Sequence, residues 1–200
     1  MKNIAVFASG NGSNFKAIID AVQSGELEAT IALLICDKPG AYAIERANAA
    51  GIPTFIFNPR DYQLKEDYEK KILHKLTKVG AELLVLAGYM RLIGPTLLTE
   101  FQGRIVNIHP SLLPSFPGKD AIGQALAAGA KESGVTIHFV DEGMDTGPII
   151  VQESVSIDEN ETKKSLQRKI QTIEHRLYPS MLNTLLARGE ITSDKKARTY

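Results

Sequence analysis

Residues 3–22 read NIAVFASGNGSNFKAIIDAV and place an apolar run, a loop with two glycines and a helical pattern in direct succession. The apolar run NIAVFA is typical of a strand that is buried on both faces of a parallel sheet. After the loop, apolar side chains recur at helical spacing, at Phe15, Ile18, Ile19 and Val22. The loop therefore follows the carboxyl end of a strand, which is the edge where open α/β sheets bind their ligands.

The same alternation of strand and helix continues to residue 109. Further strands are predicted at 29–36, 54–57, 82–88 and 104–109, and further helices at 41–50, 61–78 and 95–101. This pattern predicts an open, mostly parallel, twisted α/β sheet with helices on both faces. Beyond it, the sequence predicts a helix at 119–129, antiparallel strands at 134–141 and 148–157, and a last helix at 162–188.

The composition is that of an ordinary globular domain, with 44% hydrophobic and 23% charged residues among 200. We predict a single domain over 1–188, followed by a polar tail at 189–200. Lys and Arg balance Asp and Glu at 23 each, which argues against a nucleic acid held by bulk charge. The sequence contains no signal peptide and no apolar segment of membrane length, so we expect a cytoplasmic protein with no membrane partner.

The loop ASGNGSNF, Ala8–Phe15, has the glycines and the following helix start that can cradle a phosphate. It lacks the third glycine of a dinucleotide loop, because Phe15 stands there, and it lacks the lysine of a P-loop. A shallow site for one terminal phosphate is one interpretation. The other is a tight turn without ligand, in which Ser13 and Asn14 cap the helix. Asp37, after the second strand, is interpreted as a loop residue.

The stretch VNIHPSLLPSFPG, Val106–Gly118, ends a strand with Asn107 and His109. Residues two apart on a strand point to the same side, so the two polar side chains emerge together at the carboxyl edge. An amide and an imidazole side by side can hold a developing oxyanion and move a proton. The three prolines that follow would keep such a site rigid. The alternative is a histidine satisfied by local backbone in an ordinary loop.

A third polar stretch is VDEGMDTGP, Val140–Pro148, which contains Asp141, Glu142 and Asp145. Turns use such residues without any catalytic role. A carboxylate beside His109 would orient its ring and favour its charged form, and Asp145 is the best candidate because small residues follow it. The four histidines show no metal-binding spacing and no cysteine pair accompanies them, so no metal site is predicted.

Four stretches together, FASGNGSNF, LAGYMRLIGP, VNIHPSLLPSFPG and HFVDEGMDTGP, resemble the phosphoribosylglycinamide formyltransferases over residues 2–188. The segment HPSLLP resembles folate-dependent formyltransferases and hydrolases in general, whereas the loop SGNGSN and the compact length narrow the resemblance to this family. The resemblance implies a Rossmann-like formyltransferase fold. It also implies transfer of a formyl group from 10-formyltetrahydrofolate to the glycyl amine of 5-phosphoribosylglycinamide in purine biosynthesis, without a metal.

The resemblance also implies three groups of site residues. The catalytic group comprises Asn107, His109 and Asp145. The group that binds the ribonucleotide comprises Gly12, Ser13 and Asn14 around the phosphate, with Glu174 on the last helix. The group that binds the folate comprises Lys65, Met90, Arg91, Leu92, Ile93, Asn107, Val140, Asp141, Glu142, Gly143 and Met144. Arg60 remains an alternative to Lys65, and we expect the loop at 140–145 to close over the folate because glycines flank it.

Three other functions are alternatives at this point. A 10-formyltetrahydrofolate hydrolase would use the same trio with water as acceptor, and we expect such an enzyme to carry a further N-terminal domain. A methionyl-tRNA formyltransferase would be expected to add a C-terminal domain and a basic surface, which zero net charge disfavours. A non-catalytic nucleotide-binding module would keep only the phosphate loop. Whether the protein is a monomer or a homodimer is also open.

Overall fold

The structure is a computed structural model that describes residues 1–188. Within this range the seven strands are β1 Lys2–Ala8, β2 Ala29–Cys36, β3 Thr54–Ile56, β4 Leu83–Leu86, β5 Ile105–His109, β6 Glu132–Phe139 and β7 Ile149–Ser156. The six α-helices are α1 Ser13–Ser24, α2 Tyr42–Ala49, α3 Lys65–Lys78, α4 Pro95–Glu100, α5 Ala121–Ala127 and α6 Lys163–Arg188. The predicted tail at 189–200 lies outside the described residues.

All seven strands form one sheet in the order β3-β2-β1-β4-β5-β6-β7. The first five strands are parallel, and β6 and β7 add on in antiparallel directions. The predicted mostly parallel sheet with an antiparallel C-terminal addition is therefore confirmed. From β1 the chain adds β2 and β3 on one side of the sheet and then returns to add β4 on the other side of β1. The direction of strand addition therefore reverses between β1 and β4. Open α/β sheets form their ligand crevice beyond the carboxyl ends of the strands at such a reversal.

The two faces of the sheet carry separate apolar clusters, and β1 contributes to both. Ile4 and Val6 belong to the cluster that includes α1 and α6, whereas Ala5 and Phe7 belong to the one that includes α3 and α4. This division follows from the alternation of side chains along a strand. Helices cover both faces as predicted. Because both faces of the parallel strands are therefore buried, these strands are apolar along their whole length.

The helix α6 is attached directly to the centre of the sheet. The buried Tyr178 hydroxyl lies 2.9 Å from the carbonyl oxygen of Leu86, the last residue of β4, and 3.2 Å from that of Val106, the second residue of β5, and it donates to both. Glu174 precedes Tyr178 by one helical turn on the same face. The attachment therefore carries Glu174 to the carboxyl edge of the sheet.

The third helix begins later than the sequence predicts, at Lys65 instead of residue 61. Residues Pro59–Asp61 form a short 3₁₀ turn, in which the Asn58 side chain accepts from the backbone N–H of Arg60 at 3.1 Å. The backbone N–H of Leu64 then donates to the Asp67 carboxylate at 3.2 Å, a cap that starts the α-helix at Lys65. Among residues 1–188, no helix combines the length and the apolar character needed to cross a bilayer.

Candidate active site

A cavity of about 420 Å³ opens beyond the carboxyl ends of β4 and β5. Its walls come from the loop after β4, the end of β5, the loops that follow β5 and β6, and α6. Thirteen of the predicted site residues line it, namely Asn14, Met90, Arg91, Leu92, Ile93, Asn107, His109, Val140, Asp141, Gly143, Met144, Asp145 and Glu174. Segments that are far apart in the sequence thus meet around one space.

The three predicted catalytic residues lie within a few ångströms of one another. One carboxylate oxygen of Asp145, Oδ2, lies 3.5 Å from His109 Nδ1. The other, Oδ1, accepts from Asn107 Nδ2 at 3.5 Å. The loop at 110–118 contains three prolines and is called the proline loop below. The backbone N–H of Gly118, its last residue, donates to Oδ2 at 2.8 Å. The proline loop therefore returns to hold the carboxylate against the end of β5.

The ring of His109 is buried, and its two nitrogens have different partners. Nε2 lies 2.9 Å from the carbonyl oxygen of Phe116, which can only accept, so Nε2 carries a hydrogen. Nδ1 is the ring nitrogen that faces Asp145. The local backbone contact that the sequence left open as an alternative does exist. This backbone contact involves only Nε2. Nδ1 remains at the cavity and forms an ion pair with Asp145 when the ring is protonated.

A second histidine, His138, belongs to the same cluster, and the sequence did not assign it a role. The antiparallel register places His138 directly opposite Asn107. Its Nδ1 donates to the carbonyl oxygen of Phe139 at 2.8 Å, and its Nε2 lies 3.2 Å from Asn107 Nδ2 and 3.7 Å from Asp145 Oδ1. In the neutral ring Nε2 accepts from the Asn107 amide, and in the charged ring it faces the carboxylate.

The surroundings of Asp145 stabilise its ionised form. Contact with the His138 ring, the donated N–H of Gly118 and the charge of His109 hold the pKa of Asp145 below its ordinary value, against the opposing effect of burial. The backbone of Asp145 lies in the left-handed region, at φ 57°. Two contacts to Asp141 Oδ1, from the Gly143 N–H at 3.0 Å and the Thr146 hydroxyl at 2.7 Å, stabilise this turn.

The glycine loop before α1 reaches the cavity through Asn14. The N-cap is Gly12, at φ 71°, and a Cβ there would come within 2.8 Å of Ala43 Cβ. Within residues 1–188 no side chain caps this helix, so the capping by Ser13 and Asn14 that the sequence offered is wrong. Instead, Asn14 Nδ2 donates to Glu174 Oε2 at 3.2 Å, because α6 packs against α1. Ser13 faces an adjacent groove between these two helices.

The Asn14–Glu174 pair is buried at one end of the cavity. Burial raises the pKa of Glu174 to about 7, although the hydrogen bond from Asn14 acts in the opposite direction. The other side-chain atom of the amide, Asn14 Oδ1, is buried and has no hydrogen-bond partner within residues 1–188. A buried acceptor without a partner is costly, so this end of the cavity suits a ligand that donates hydrogen bonds.

Residues 2–182 of the chain match the family model described as formyl transferase. The chain belongs to the formyltransferase family. It is 54% identical over 193 residues to the phosphoribosylglycinamide formyltransferase of Bacillus subtilis (strain 168), covering 95% of this chain and 99% of the relative. The crystal structure of phosphoribosylglycinamide formyltransferase from Bacillus halodurans superposes with a TM-score of 0.91 at 55% identity, covering 94% of this chain and 97% of that one. Glycinamide ribonucleotide transformylase 1 from Geobacillus kaustophilus gives a TM-score of 0.91 at 57% identity, with coverages of 93% and 99%. The resemblance seen in the sequence motifs is confirmed.

Some predicted site residues of this formyltransferase do not line the cavity. Lys65 is exposed, and its Nζ lies 3.9 Å from Glu69 Oε1 on the same helix. Arg60 is exposed in the 3₁₀ turn, and Glu142 is exposed in the loop after β6. Whether Lys65 or Arg60 meets the folate therefore stays a prediction. Among residues 1–188 of the formyltransferase, no group of three or more His, Cys, Asp or Glu side chains is arranged to hold a metal ion.

Proposed function

We propose that this formyltransferase moves the formyl group of 10-formyltetrahydrofolate to the glycyl amine of 5-phosphoribosylglycinamide. The products are the N-formyl ribonucleotide and tetrahydrofolate, and the reaction is a step of purine biosynthesis. The observation that carries the proposal is the convergence of Asn107, His109 and Asp145 on a cavity that also reaches the Asn14–Glu174 pair. One end of this space has exposed apolar side chains against which a flat aromatic ring can pack, and the other end is suited to a hydroxyl-rich phosphate ester.

The folate end is formed by the loop after β4 and the loop after β6. Met90, Leu92 and Met144 are exposed apolar side chains around it, with relative exposures of 65%, 49% and 52%. Burying such side chains against the pterin would remove apolar surface from water, and this burial stabilises the complex. Asn107 of β5 lines the same cavity, and we expect the formyl group to lie beside its amide.

The ribonucleotide end is formed by α1 and α6. The N–H groups of the first turn of α1 have no partners within their own helix and are suited to the 5′-phosphate. Glu174, in its ionised form, and Asn14 Oδ1 would accept from ribose hydroxyls. Arg46 of α2 supports the glycine loop, donating to the carbonyl oxygen and the side chain of Asn11 at 2.9 Å each.

The chemical step is a direct attack of the neutral glycyl amine on the formyl carbon. The carbonyl oxygen becomes an oxyanion, which the Asn107 amide N–H and the protonated Nδ1 of His109 stabilise. Asp145 keeps His109 charged and helps to remove the proton of the attacking nitrogen through a water molecule. The tetrahedral species then collapses, the bond from carbon to the folate nitrogen breaks, and tetrahydrofolate leaves with a proton. The step needs neither a metal nor a covalent enzyme intermediate.

The test is loss of the formyl group from 10-formyltetrahydrofolate, followed spectrophotometrically with and without 5-phosphoribosylglycinamide. Rapid loss only in the presence of the amine is the expected result. Equal loss without the amine would identify water as the acceptor and replace the proposal by a hydrolase. Ribonucleotide binding in a calorimeter without any turnover would support a binding module instead.

A further inference from the structure

The loop at 88–94, which connects β4 to α4, contains no helix or strand, yet it supplies one wall of the cavity. Its residues Met90 to Ile93 are those expected to meet the pterin. A wall without regular structure needs other contacts to keep its shape. In this molecule the contacts come from buried side chains that do not line the cavity themselves.

The first end of the loop is held by Ser9 and Asp37, at the carboxyl ends of β1 and β2. The Ser9 backbone N–H donates to the carbonyl oxygen of Gly88 at 3.1 Å, and the Ser9 hydroxyl accepts from the backbone N–H of Met90 at 2.9 Å. That hydroxyl donates in turn to Asp37 Oδ1 at 2.5 Å. Asp37 Oδ2 accepts from Arg91 Nε at 2.6 Å. Asp37 lies in the loop directly after β2, as predicted, and it is buried there.

The second end of the loop is held by Glu69 of α3. Its Oε1 accepts from the backbone N–H of Gly94 at 2.6 Å, and the residue is only 2% exposed. A Cβ at Gly94 would lie 2.5 Å from Glu69 Oε2, so the carboxylate packs directly against the loop backbone. A buried carboxylate that accepts from a backbone N–H forms one of the stronger hydrogen bonds in a protein.

We propose that Asp37 and Glu69 are positioning residues that clamp the loop at 88–94 in the shape that binds the folate. This inference rests on the proposed function, because it takes the folate to be the ligand of that loop. Asp37 contacts the Ser9 hydroxyl and Arg91, and Glu69 contacts the Gly94 N–H and, at 3.9 Å, Lys65 Nζ. Neither carboxylate makes a hydrogen bond to Asn14 or Glu174 at the other end of the cavity. Their loss should therefore weaken folate binding and leave ribonucleotide binding unchanged.

The test compares Asp37→Asn and Glu69→Gln, which keep the size of each side chain, with Asp20→Asn and Glu66→Gln as matched controls. Asp20 and Glu66 are exposed and pair with Lys16 and Lys70. We expect each clamp variant to raise the KM for 10-formyltetrahydrofolate by about tenfold, the scale of one lost charged hydrogen bond. The KM for 5-phosphoribosylglycinamide and kcat should stay within about twofold, as should all three constants in the controls.

Amide hydrogen exchange separates a clamp from a general loss of stability. In Asp37→Asn the Met90 amide should exchange faster, and in Glu69→Gln the Gly94 amide should do so, while amides of β1 and β4 keep their rates. Equal increases of both KM values, or faster exchange throughout the sheet, would show a merely structural role and overturn the proposal. Should Glu69→Gln fail to fold, Ser9→Ala tests the first end of the loop independently.

The outcomes also separate this inference from the proposed function. Unmodified protein that consumes no 10-formyltetrahydrofolate in the presence of the amine would overturn the function and the clamp with it. Unmodified protein that turns over normally, with both clamp variants keeping its folate KM, would overturn the clamp alone.

Discussion

Asp145 is the residue on which the site depends most, because it contacts the strand end and the proline loop at once. Its carboxylate contacts the Asn107 amide and the Gly118 N–H, and it faces Nδ1 of His109. Its lowered pKa keeps it ionised at neutral pH. An ionised carboxylate at this position favours the imidazolium that the proposed oxyanion requires.

Replacing Asp145 by Asn should lower kcat by at least about a hundredfold, the usual scale for such groups. The amide keeps the shape of the side chain but removes the charge that holds His109 protonated. His109→Ala should have an effect of the same order, because it removes the proton donor itself. Steady-state turnover measures both, with the exposed Asp158→Asn as control. Near-normal turnover in either variant would remove that residue from the mechanism.

Glu174 should make the folded state less stable as the pH rises. Its pKa rises from an ordinary value of 4.5 to about 7 because of burial, which corresponds to about 3 kcal/mol of unfolding free energy. Below pH 4.5 the group is neutral in both states and this contribution is fully present. Between pH 4.5 and 7 the unfolded carboxyl ionises first, so the contribution is lost.

The measurement is urea unfolding of the unmodified chain and Glu174→Gln at several pH values. The stability of the variant relative to the unmodified chain should increase from pH 4.5 to pH 8, since Gln does not titrate. The contributions of Asp145 and of other carboxylates cancel in this difference. A difference that stays constant over the range would mean that Glu174 has an ordinary pKa in the folded state.

At the scale of elements, the antiparallel addition supports the loop that follows β5. Thr136 of β6 lies opposite His109, and its hydroxyl donates to the carbonyl oxygen of Ser111 at 2.6 Å and accepts from the N–H of Leu113 at 3.0 Å. Gln152 of β7 donates to the carbonyl oxygen of Leu113 at 2.8 Å. The loop after β5 therefore keeps its shape through contacts to the next two strands as well as through its prolines.

The turn that delivers Asp145 should not tolerate a side chain at Gly147. A Cβ there would overlap the carbonyl oxygen of Phe139, which belongs to the backbone and cannot move freely. Gly147→Ala should lower the unfolding free energy by about 1–3 kcal/mol and reduce turnover, because the turn must shift. Urea unfolding measures the first effect. The control is Gly10→Ala, where a Cβ meets nothing within 4 Å, and a loss of stability there equal to that of Gly147→Ala would contradict the steric explanation.

At the scale of the whole molecule, α6 joins the two halves of the chain around the cavity. It packs in the same apolar cluster as α1, it presents Glu174 to Asn14, and its Tyr178 hydroxyl donates to backbone carbonyl oxygens of β4 and β5. The end of the cavity that we propose binds the ribonucleotide thus forms only when α6 is docked on α1 and on the strands β4 and β5.

Tyr178→Phe should destabilise the fold and alter the ribonucleotide end. It removes a donor shared by two buried carbonyl oxygens, so the unfolding free energy should fall by about 1–3 kcal/mol. Because α6 carries Glu174, we also expect a higher KM for 5-phosphoribosylglycinamide with little change in that for the folate. Unfolding curves and steady-state kinetics test the two effects separately. An unchanged ribonucleotide KM would show that α6 stays in register without the hydroxyl.

Periodicity and motif spacing were enough to predict the strands, most helix bounds and the pairing of Asn107 with His109, since these depend on neighbours close in sequence. The late start of α3 was missed because the helical pattern begins in a separate 3₁₀ turn at Pro59–Asp61. The α-helix itself starts only after the cap formed by Leu64 and Asp67. The resemblance of the motifs to a known family also predicted thirteen site residues that line one cavity in the folded protein.

Contacts between distant segments were decided by the tertiary structure alone. Asn14 and Glu174 are 160 positions apart, and only the docking of α6 on α1 turns Asn14 from an expected cap into a partner of Glu174. His138 joined the cluster through the register of β5 and β6, which a one-residue slip would reverse. Asp37 and Glu69 became supports of the loop after β4 because parallel strands and covering helices converge there. Local sequence therefore determined the elements and the chemistry they carry, whereas burial and strand register determined which side chains meet.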